Sequence, residues 1–283
     1  MPAVVIPRGP VDGERFALVA AGRAYLALGF VFLMLPIVTL VVFSFQRNQY
    51  ASLPGQGWSL RWYVKLFQDD ALLTALKNSL IVSPVAATVA SVIGFFAAYA
   101  THRFVFPGRA ALSILLVVPV LIPPLILGIA FLGLLSRLSL QGQLLGVILT
   151  HVVLVTAPAT AIIQLRLAQM PPSLEEAAWN LGASEWQALV RVVVPFAAAG
   201  IAGGWLLAFT FSFDEFVISW FVSGFDPTLP VAIYSYLVGS ADPSLNAIAT
   251  LVFVLSSLVL LGAELLLMPF IVRARRPGRA AVA

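Results

Sequence analysis

Six long apolar runs are the feature of this sequence that most restricts its fold. They lie at about 24–45, 79–100, 110–135, 144–165, 196–222 and 246–272. Each is long enough to cross the hydrocarbon core of a membrane, which takes about 20 helical residues. A helix satisfies its backbone hydrogen bonds within one segment, as a membrane requires. With 61% hydrophobic and only 10% charged residues, the sequence predicts an all-α integral membrane protein with six transmembrane helices.

Six spans place both termini on one side of the membrane, and the basic residues predict which side. Of the 16 Lys and Arg residues, eleven fall on the side of the N-terminus and five fall on the other side. Because cytoplasmic loops carry the excess of Lys and Arg, both termini are expected in the cytoplasm. We therefore predict a cytoplasmic N-terminal extension at 1–23, a six-span domain at 24–272 and a basic cytoplasmic tail at 273–283.

The composition excludes several kinds of site. The isoelectric point is about 9.8, but the basic residues are spread over several loops without interleaved aromatic residues. The charge therefore indicates membrane sorting and not nucleic-acid binding. The absence of cysteine excludes disulfides and thiolate metal ligands. No Gly-x-x-x-x-Gly-Lys phosphate loop and no Ser/His/Asp arrangement occurs, so we expect no catalytic residue, no metal site and no bound cofactor in this chain.

A charged segment at 170–195 interrupts the apolar runs on the predicted cytoplasmic side. Two capping boxes, and hence two short helices, are predicted at Ser173/Glu176 and Ser184/Gln187. Each helix would carry one apolar stripe with helical spacing. Gly182 lies where the first helix must end, a position that favours positive φ, and Pro195 is expected to end the second helix. A helix-turn-helix with one apolar face indicates a docking element.

The same segment carries a family resemblance. The run Glu175-Glu176-Ala177-Ala178, then Gly182, then Val194-Pro195, resembles the Glu-Ala-Ala loop in membrane subunits of binding-protein-dependent ABC importers. The resemblance implies a type I ABC importer permease fold in the bacterial inner membrane. It also implies that the loop inserts into a groove on a cytoplasmic ATPase and transmits its closing motion. The residues expected to couple to the ATPase are Glu175, Glu176, Ala177, Ala178, Gly182, Trp186 and Pro195.

The sequence beyond this loop is similar to that of the second permease subunit of spermidine/putrescine importers. The similar segments are 204–209, 212–218, 221–224, 228–230 and 243–250. The resemblance implies a polyamine as the solute and leaves open another small solute, such as an amino-acid derivative or another organic cation. The partners it implies are two ABC ATPase subunits that bind ATP and magnesium, a similar but different second permease subunit, an extracytoplasmic substrate-binding protein and membrane lipid.

Acids and prolines within the apolar runs mark a candidate solute pathway. Asp214 and Glu215 lie in the outer half of the fifth run, and an intramembrane carboxylate usually faces a watery cavity or a partner charge. In one continuous helix these two acids project about 100° apart, so one can face a cationic solute while the other pairs with a neighbouring helix. A structural hydrogen bond is the alternative for both, and also for Glu264 in the sixth run. Pro123 and Pro124 predict a kink or break in the third run, on the pathway or purely structural.

Two further features of the runs indicate packing. His151, early in the fourth run, is interpreted as a buried, hydrogen-bonded histidine in preference to a ligand. Small residues of the fifth run, including Gly200 and Gly204, permit helices to approach closely.

Two other classes of protein remain as alternatives. An ion-coupled secondary transporter would need its own ion site, and it leaves the docking loop at 170–195 unexplained. A membrane-embedded enzyme would need a nucleophile and a base, and no such set stands out in the sequence.

Overall fold

The structure is a computed structural model that describes residues 12–47, 57–239 and 244–274. Its described part is helical, apart from an isolated antiparallel bridge between Gln46 and Trp58. The helices are α1 (Asp12–Ser44), α2 (Arg61–Phe67), α3 (Asp70–Arg103), α4 (Arg109–Leu121), α5 (Pro124–Arg137), α6 (Leu144–Leu167), α7 (Ser173–Asn180), α8 (Glu185–Ala188), α9 (Val194–Phe213), α10 (Val217–Val222), α11 (Leu229–Gly239) and α12 (Ser244–Ala274). A π-helical turn at Leu189–Val193 joins α8 to α9.

The helices confirm an all-α membrane fold. Among the described residues, four helices are long and apolar enough to cross a membrane: Phe16–Ser44, Asp70–Arg103, Leu144–Leu167 and Glu185–Phe213. The pair α4 and α5, bent by 105° at their junction, makes a fifth span if the two helices cross the membrane together. The sixth predicted run lies in α12, which extends over 31 residues.

The first two helices are longer than their apolar runs. Helix α1 begins at Asp12, so the boundary predicted after residue 23 falls inside a helix. Helix α3 begins at Asp70, where the Asp69 side chain accepts a hydrogen bond from the Leu72 amide at 3.1 Å. The first turns of α3 include Lys77 and Asn78, which is why the hydropathy pattern begins later than the helix. Residues 1–11 and 275–283 of the predicted extension and tail lie outside the described residues.

The chain divides into two compact units, and the smaller one comprises residues 1–65 and 242–250. Within it, the end of α1 is tied to the start of α2. The Trp62 indole N–H donates to the Gln46 carbonyl at 2.8 Å, and the hydroxyls of Ser44 and Tyr63 lie 2.8 Å apart. These two contacts anchor α2 to the end of α1. The side chains of α1 from Phe16 to Leu33 are all exposed.

The larger unit, residues 66–241 and 251–283, is built on α3, α6 and α9. Small residues allow these helices to approach closely. A Cβ at Gly94 of α3 would lie 2.8 Å from the Thr160 hydroxyl of α6, and a Cβ at Gly204 of α9 would lie 2.9 Å from the Ala159 carbonyl oxygen of α6. The close approach predicted for the fifth run is confirmed.

Two apolar clusters fill the larger unit. One joins α3, α6 and α9 beside the 170–195 segment, and its buried members are Phe95, Ala98, Ile163, Leu167, Met170, Val193 and Ala197. The other joins α3, α5, α6 and α10, and its buried members are Val82, Leu127, Leu135, Val147, Ile218 and Val222. Helices α5 and α10 are short, and this second cluster fixes both of them against the long helices.

The fifth run is not one continuous helix, which corrects the geometry expected for its two acids. Helix α9 ends at Phe213 and α10 begins at Val217. Asp214 and Glu215 lie in the intervening break, so the 100° separation of neighbours in an α-helix does not apply to them. No proline or glycine marks this break in the sequence, whereas Pro123 and Pro124 do mark the predicted break between α4 and α5.

Candidate functional site

Helix α7 of the 170–195 segment ends in a turn that depends on Gly182. The Gly182 amide donates to the Trp179 carbonyl at 2.9 Å, and the Ala183 amide donates to the Ala178 carbonyl at 3.0 Å. This pair of bonds is the Schellman motif, which requires a left-handed residue after the helix. Gly182 has φ +85°. The positive φ predicted from the sequence is confirmed.

The capping prediction is right for the second helix and wrong for the first. The Gln187 amide donates to the Ser184 hydroxyl at 3.3 Å, and the Ser184 amide donates to the Gln187 side-chain oxygen at 3.0 Å. Ser173, in contrast, is already the first residue of α7. Pro172 takes the capping position in helical geometry, and no side chain caps this end. The two prolines before Ser173 start the helix one residue too early for a Ser173 cap.

Pro195 does not end the second helix, contrary to expectation. The helical stretch continues from Glu185 to Phe213. Proline lacks an amide hydrogen and normally collides with the carbonyl four residues earlier. Here the π-helical turn Leu189–Val193 widens the preceding turn, and the Val194 amide donates to the Leu189 carbonyl, five residues back. Pro195 therefore lies in the first turn of α9, where proline is tolerated.

The adjacent acids of α7 have opposite environments. Glu175 is only 3% exposed. It accepts a hydrogen bond from the Tyr99 hydroxyl at 2.9 Å, and its other oxygen lies 3.2 Å from Nε of Arg103. Tyr99 and Arg103 both belong to the last turns of α3, so Glu175 fastens α7 to that helix. Glu176 is exposed.

Two residues that sequence reasoning missed complete this anchor. Arg103 also lies over the Trp179 ring, 4.8 Å from its centroid, a distance suited to a cation–π contact. The sequence patterns assign no role to Tyr99, and Arg103 is one of the eleven basic residues of the predicted cytoplasmic side. The sequence does place Tyr99 and Arg103 one helical turn apart, at the cytoplasmic end predicted for the second run. This spacing puts both polar groups on one side of the helix, where they can bind the same partner.

The remaining coupling candidates lie at the surface of the segment. Ala177 is exposed and Ala178 is half-buried. Leu181 is 89% exposed and Trp186 is 66% exposed. Large apolar side chains at such exposure are typical of a docking surface. Leu181, which the sequence did not single out as a coupling residue, is the most exposed of them.

The acids at the break between α9 and α10 also differ from each other. Asp214 is exposed and occupies the position that ends α9, where its amide donates to the Thr210 carbonyl. Glu215 is half-buried, and its carboxylate accepts a hydrogen bond from the Ile218 amide at 2.7 Å. Glu215 thus caps the start of α10, in agreement with the structural hydrogen bond considered as the alternative. The side chain of Glu264 lies outside the described part of the chain.

A cavity of about 420 Å³ lies beside this break and the one between α4 and α5. Its lining residues are Val117, Pro119, Val120, Ile122, Pro124, Leu154, Ala157, Pro158, Ala161, Phe211 and Glu215. The cavity thus brings together two of the predicted pathway residues, Pro124 and Glu215, while Pro123 and Asp214 are not among the lining residues. Of the described lining residues, Glu215 is the one with a polar side chain.

His151 lies behind the break and is completely buried. Its Nδ1 lies 2.8 Å from the Ser212 hydroxyl in α9, and its Nε2 lies 2.8 Å from the Ser219 hydroxyl in α10. The interpretation of His151 as a buried, hydrogen-bonded residue is confirmed. Both partners lie close in sequence to Glu215, one on each side of it.

The sequence also matches known proteins. The family model described as "Binding-protein-dependent transport system inner membrane component" matches residues 90–272. The putrescine transport system permease protein PotI of Escherichia coli (strain K12) is 37% identical over 235 residues, which is 80% of this chain and 83% of that protein. The spermidine/putrescine transport system permease protein PotC of Haemophilus influenzae is 34% identical over 235 residues, 83% of this chain and 91% of that protein.

Solved structures of transporters share the fold. A bacterial ABC transporter that imports the acidic polysaccharide alginate matches with a TM-score of 0.73 and 18% identity, over 90% of this chain and 96% of that chain. The alginate transporter in complex with a periplasmic protein that holds an alginate pentasaccharide matches with a TM-score of 0.68 and 18% identity, over 90% of this chain and 95% of that chain. At these identities the likeness concerns the fold.

Proposed function

Because the chain belongs to the family of inner membrane components of binding-protein-dependent transport systems, we propose that it is a permease subunit of an ATP-driven importer for a polyamine, such as putrescine or spermidine. Relatives named for these solutes are 33–37% identical over most of the chain. The chain would form half of the translocation pathway. ATP and magnesium would bind to partner ATPase subunits, because the chain has no phosphate-binding loop of its own.

The choice of solute is supported by one observation in the structure, which is that the acid Glu215 lines the 420 Å³ cavity among described residues whose other side chains are apolar. A polyamine has ammonium groups separated by methylene segments. Its charge loses water inside a membrane and needs an acceptor there, whereas its methylenes suit an apolar wall. Glu215 supplies the acceptor, and the cavity wall on α4 and α6 supplies the apolar surface.

Charge removal at Glu215 tests this assignment. We expect Glu215→Gln to lower polyamine uptake by about tenfold or more, since a paired charge within a membrane protein is worth more than the roughly 1.4 kcal/mol that tenfold represents. Glutamine keeps an oxygen that can accept from the Ile218 amide, so α10 stays capped. Uptake of radiolabelled putrescine in cells, with complex yield measured in parallel, gives the result.

Asp214→Asn is the matched control, because Asp214 is the adjacent acid and does not line the cavity. It should leave uptake close to that of the parent. Full uptake in Glu215→Gln would rule out an essential charge at this position. A loss of uptake in strict proportion to a loss of complex would assign Glu215 a structural role only.

For coupling, we propose that the exposed surface of the 170–195 segment docks on the ATPase while Glu175 ties the segment to α3. The exposed residues are Glu176, Ala177, Leu181 and Trp186. A push on α7 would then reach α3 through the Glu175–Arg103 ion pair and the Tyr99 hydrogen bond. Because α3 packs along α6 and α9, the movement would spread to the helices that carry the cavity.

Separate removal of the two charges in α7 tests this division of roles. Glu175→Gln weakens a charged hydrogen-bond pair, at a cost of about 1.5–3 kcal/mol, and we expect ATP hydrolysis that is only poorly linked to uptake. Glu176→Gln should instead weaken the binding of the ATPase while the chain itself stays equally stable. The measurements are solute transported per ATP hydrolysed and ATPase retained on purification. If Glu175→Gln transports as much solute per ATP hydrolysed as the parent, the contacts of Glu175 with Tyr99 and Arg103 have no part in coupling.

The assembly that this function requires comprises two ATPase subunits, a second permease subunit and an extracytoplasmic substrate-binding protein. The family description supports the binding protein and the membrane location. We propose that both termini and the 170–195 segment lie in the cytoplasm, on the argument from basic residues.

A further inference from the structure

The break between α9 and α10 is bridged by one side chain from a third helix. His151 of α6 contacts Ser212, one residue before α9 ends, and Ser219, the third residue of α10. All three side chains are buried, with at most 3% exposure. The imidazole ring is rigid, so two hydrogen bonds of 2.8 Å on its opposite sides fix the separation of the two hydroxyls.

The residues held between these two contacts include Glu215. The hydrogen bonds at the break tie it to the ends of the two helices: the Asp214 amide closes the last turn of α9, and the Ile218 amide of α10 donates to the Glu215 side chain. Glu215 therefore owes its position to where α9 and α10 are held. In a membrane interior, a buried hydroxyl or ring nitrogen left without a partner is costly, so the bridge favours one arrangement of the two helices.

We propose that His151 is a positioning residue that, through Ser212 and Ser219, holds the α9–α10 break and so keeps the Glu215 carboxylate at the cavity wall. An apolar residue would fill the same space in α6 without linking the two helices. The inference rests on the proposed function only in taking Glu215 to face the solute; the position of the carboxylate can be measured without transport.

A charge-sensitive thiol measures that position. The chain has no cysteine, and Val120 lines the same cavity from α4, a different helix from the one that carries His151. With Val120→Cys in the assembled, detergent-solubilised complex at alkaline pH, we compare the reaction rates of a cationic and a neutral methanethiosulfonate reagent of similar size. A carboxylate in the cavity should favour the cationic reagent by roughly fivefold or more. The ratio should fall to nearly one in Glu215→Gln.

The proposal predicts that changes at His151 lower this ratio although Glu215 remains. We expect His151→Phe to reduce the cationic preference at least twofold, and Ser212→Ala and Ser219→Ala each to reduce it in part. The matched controls are Ser83→Ala and Ser91→Ala. Both residues are buried serines of α3 whose hydroxyls have no hydrogen-bond partner among the described residues, and their replacement should leave the ratio unchanged.

Several results would overturn the proposal. An unchanged ratio in His151→Phe, or in both serine variants if His151→Phe does not assemble, would show that the bridge does not position Glu215. Equal ratios in the parent and in Glu215→Gln would show that the carboxylate does not face the cavity. If the ratio depends on His151 while Glu215→Gln transports polyamine normally, the proposed role of Glu215 in uptake fails and the positioning role stands.

Discussion

Two pairs of adjacent acids occur in this chain, Glu175/Glu176 and Asp214/Glu215, and in each pair one side chain is less exposed than the other. In α7, Glu175 is buried against Tyr99 and Arg103, whereas Glu176 is exposed. At the α9–α10 break, Glu215 lines the cavity, whereas Asp214 is exposed. Burying a carboxylate is tolerated when hydrogen bonds or an opposite charge compensate for the lost water, and each buried acid has such a partner.

Gly182 allows a residue-scale prediction about the turn after α7. Its φ of +85° strains any residue with a branched Cβ, and a Cβ there would have no atom within 4 Å, so the effect is purely on the backbone. We expect Gly182→Val to cost about 1–3 kcal/mol in the folded turn and to lower uptake. Asparagine tolerates the left-handed region, so Gly182→Asn should keep most of the uptake. Equal uptake in both variants would show that the turn conformation is not needed for coupling.

The residues that were predicted correctly are those whose local backbone decides the outcome. Gly182 and the Ser184–Gln187 capping box depend on a few neighbouring residues, and both are as expected. The roles of Glu175 and Glu215 depend on helices distant in sequence. The sequence singled out all four acids but could not separate the inward ones, because Tyr99 is 76 residues from its partner Glu175.

At the scale of helices, breaks are harder to predict than spans. A span shows itself in about 20 consecutive apolar residues, and for this reason the first, second, fourth and sixth predicted runs each fall inside a single helix, to within one residue. The break at Pro123 and Pro124 follows from the missing amides of proline. The break at 214–216 has no such local cause, and the short helix after it is held by packing, with Ile218 and Val222 buried against α5 and α6.

The close approach of α9 to α6 depends on the absence of a side chain at Gly204. Gly204→Ala in α9 would place a methyl group 2.9 Å from the Ala159 carbonyl oxygen of α6. The helices would have to move apart to relieve this overlap, which destabilises the fold by about 1–3 kcal/mol. We expect a lower thermal midpoint for the purified complex and a lower yield. Gly133→Ala in α5 is the control, since its methyl group would meet no described residue beyond its own helical turn within 4 Å and alanine favours helices. Equal midpoints for both variants would contradict the packing of α6 against α9.

For the whole molecule, the exposed surface reflects the membrane environment. Leu26, Phe30 and Leu33 of α1 are more than 60% exposed, and such surfaces are stable only against lipid or another apolar protein. Lipid or a second permease subunit would each cover such a surface.

The basic residues also predict the orientation of the whole molecule in the membrane. Single introduced cysteines can test this orientation, because the chain has no cysteine of its own. Val105 lies between α3 and α4 and Phe225 lies after α10, and both side chains are fully exposed or nearly so. The excess of Lys and Arg predicts that Val105 lies in the cytoplasm and Phe225 outside. In cells whose outer membrane is permeabilised and whose inner membrane stays sealed, a membrane-impermeant maleimide should label Phe225→Cys and not Val105→Cys. Cells whose inner membrane is also permeabilised provide the control, since both thiols should then react. The reverse pattern in cells with a sealed inner membrane would place the 170–195 segment on the side away from the ATPases, and the coupling proposal would fail with the orientation.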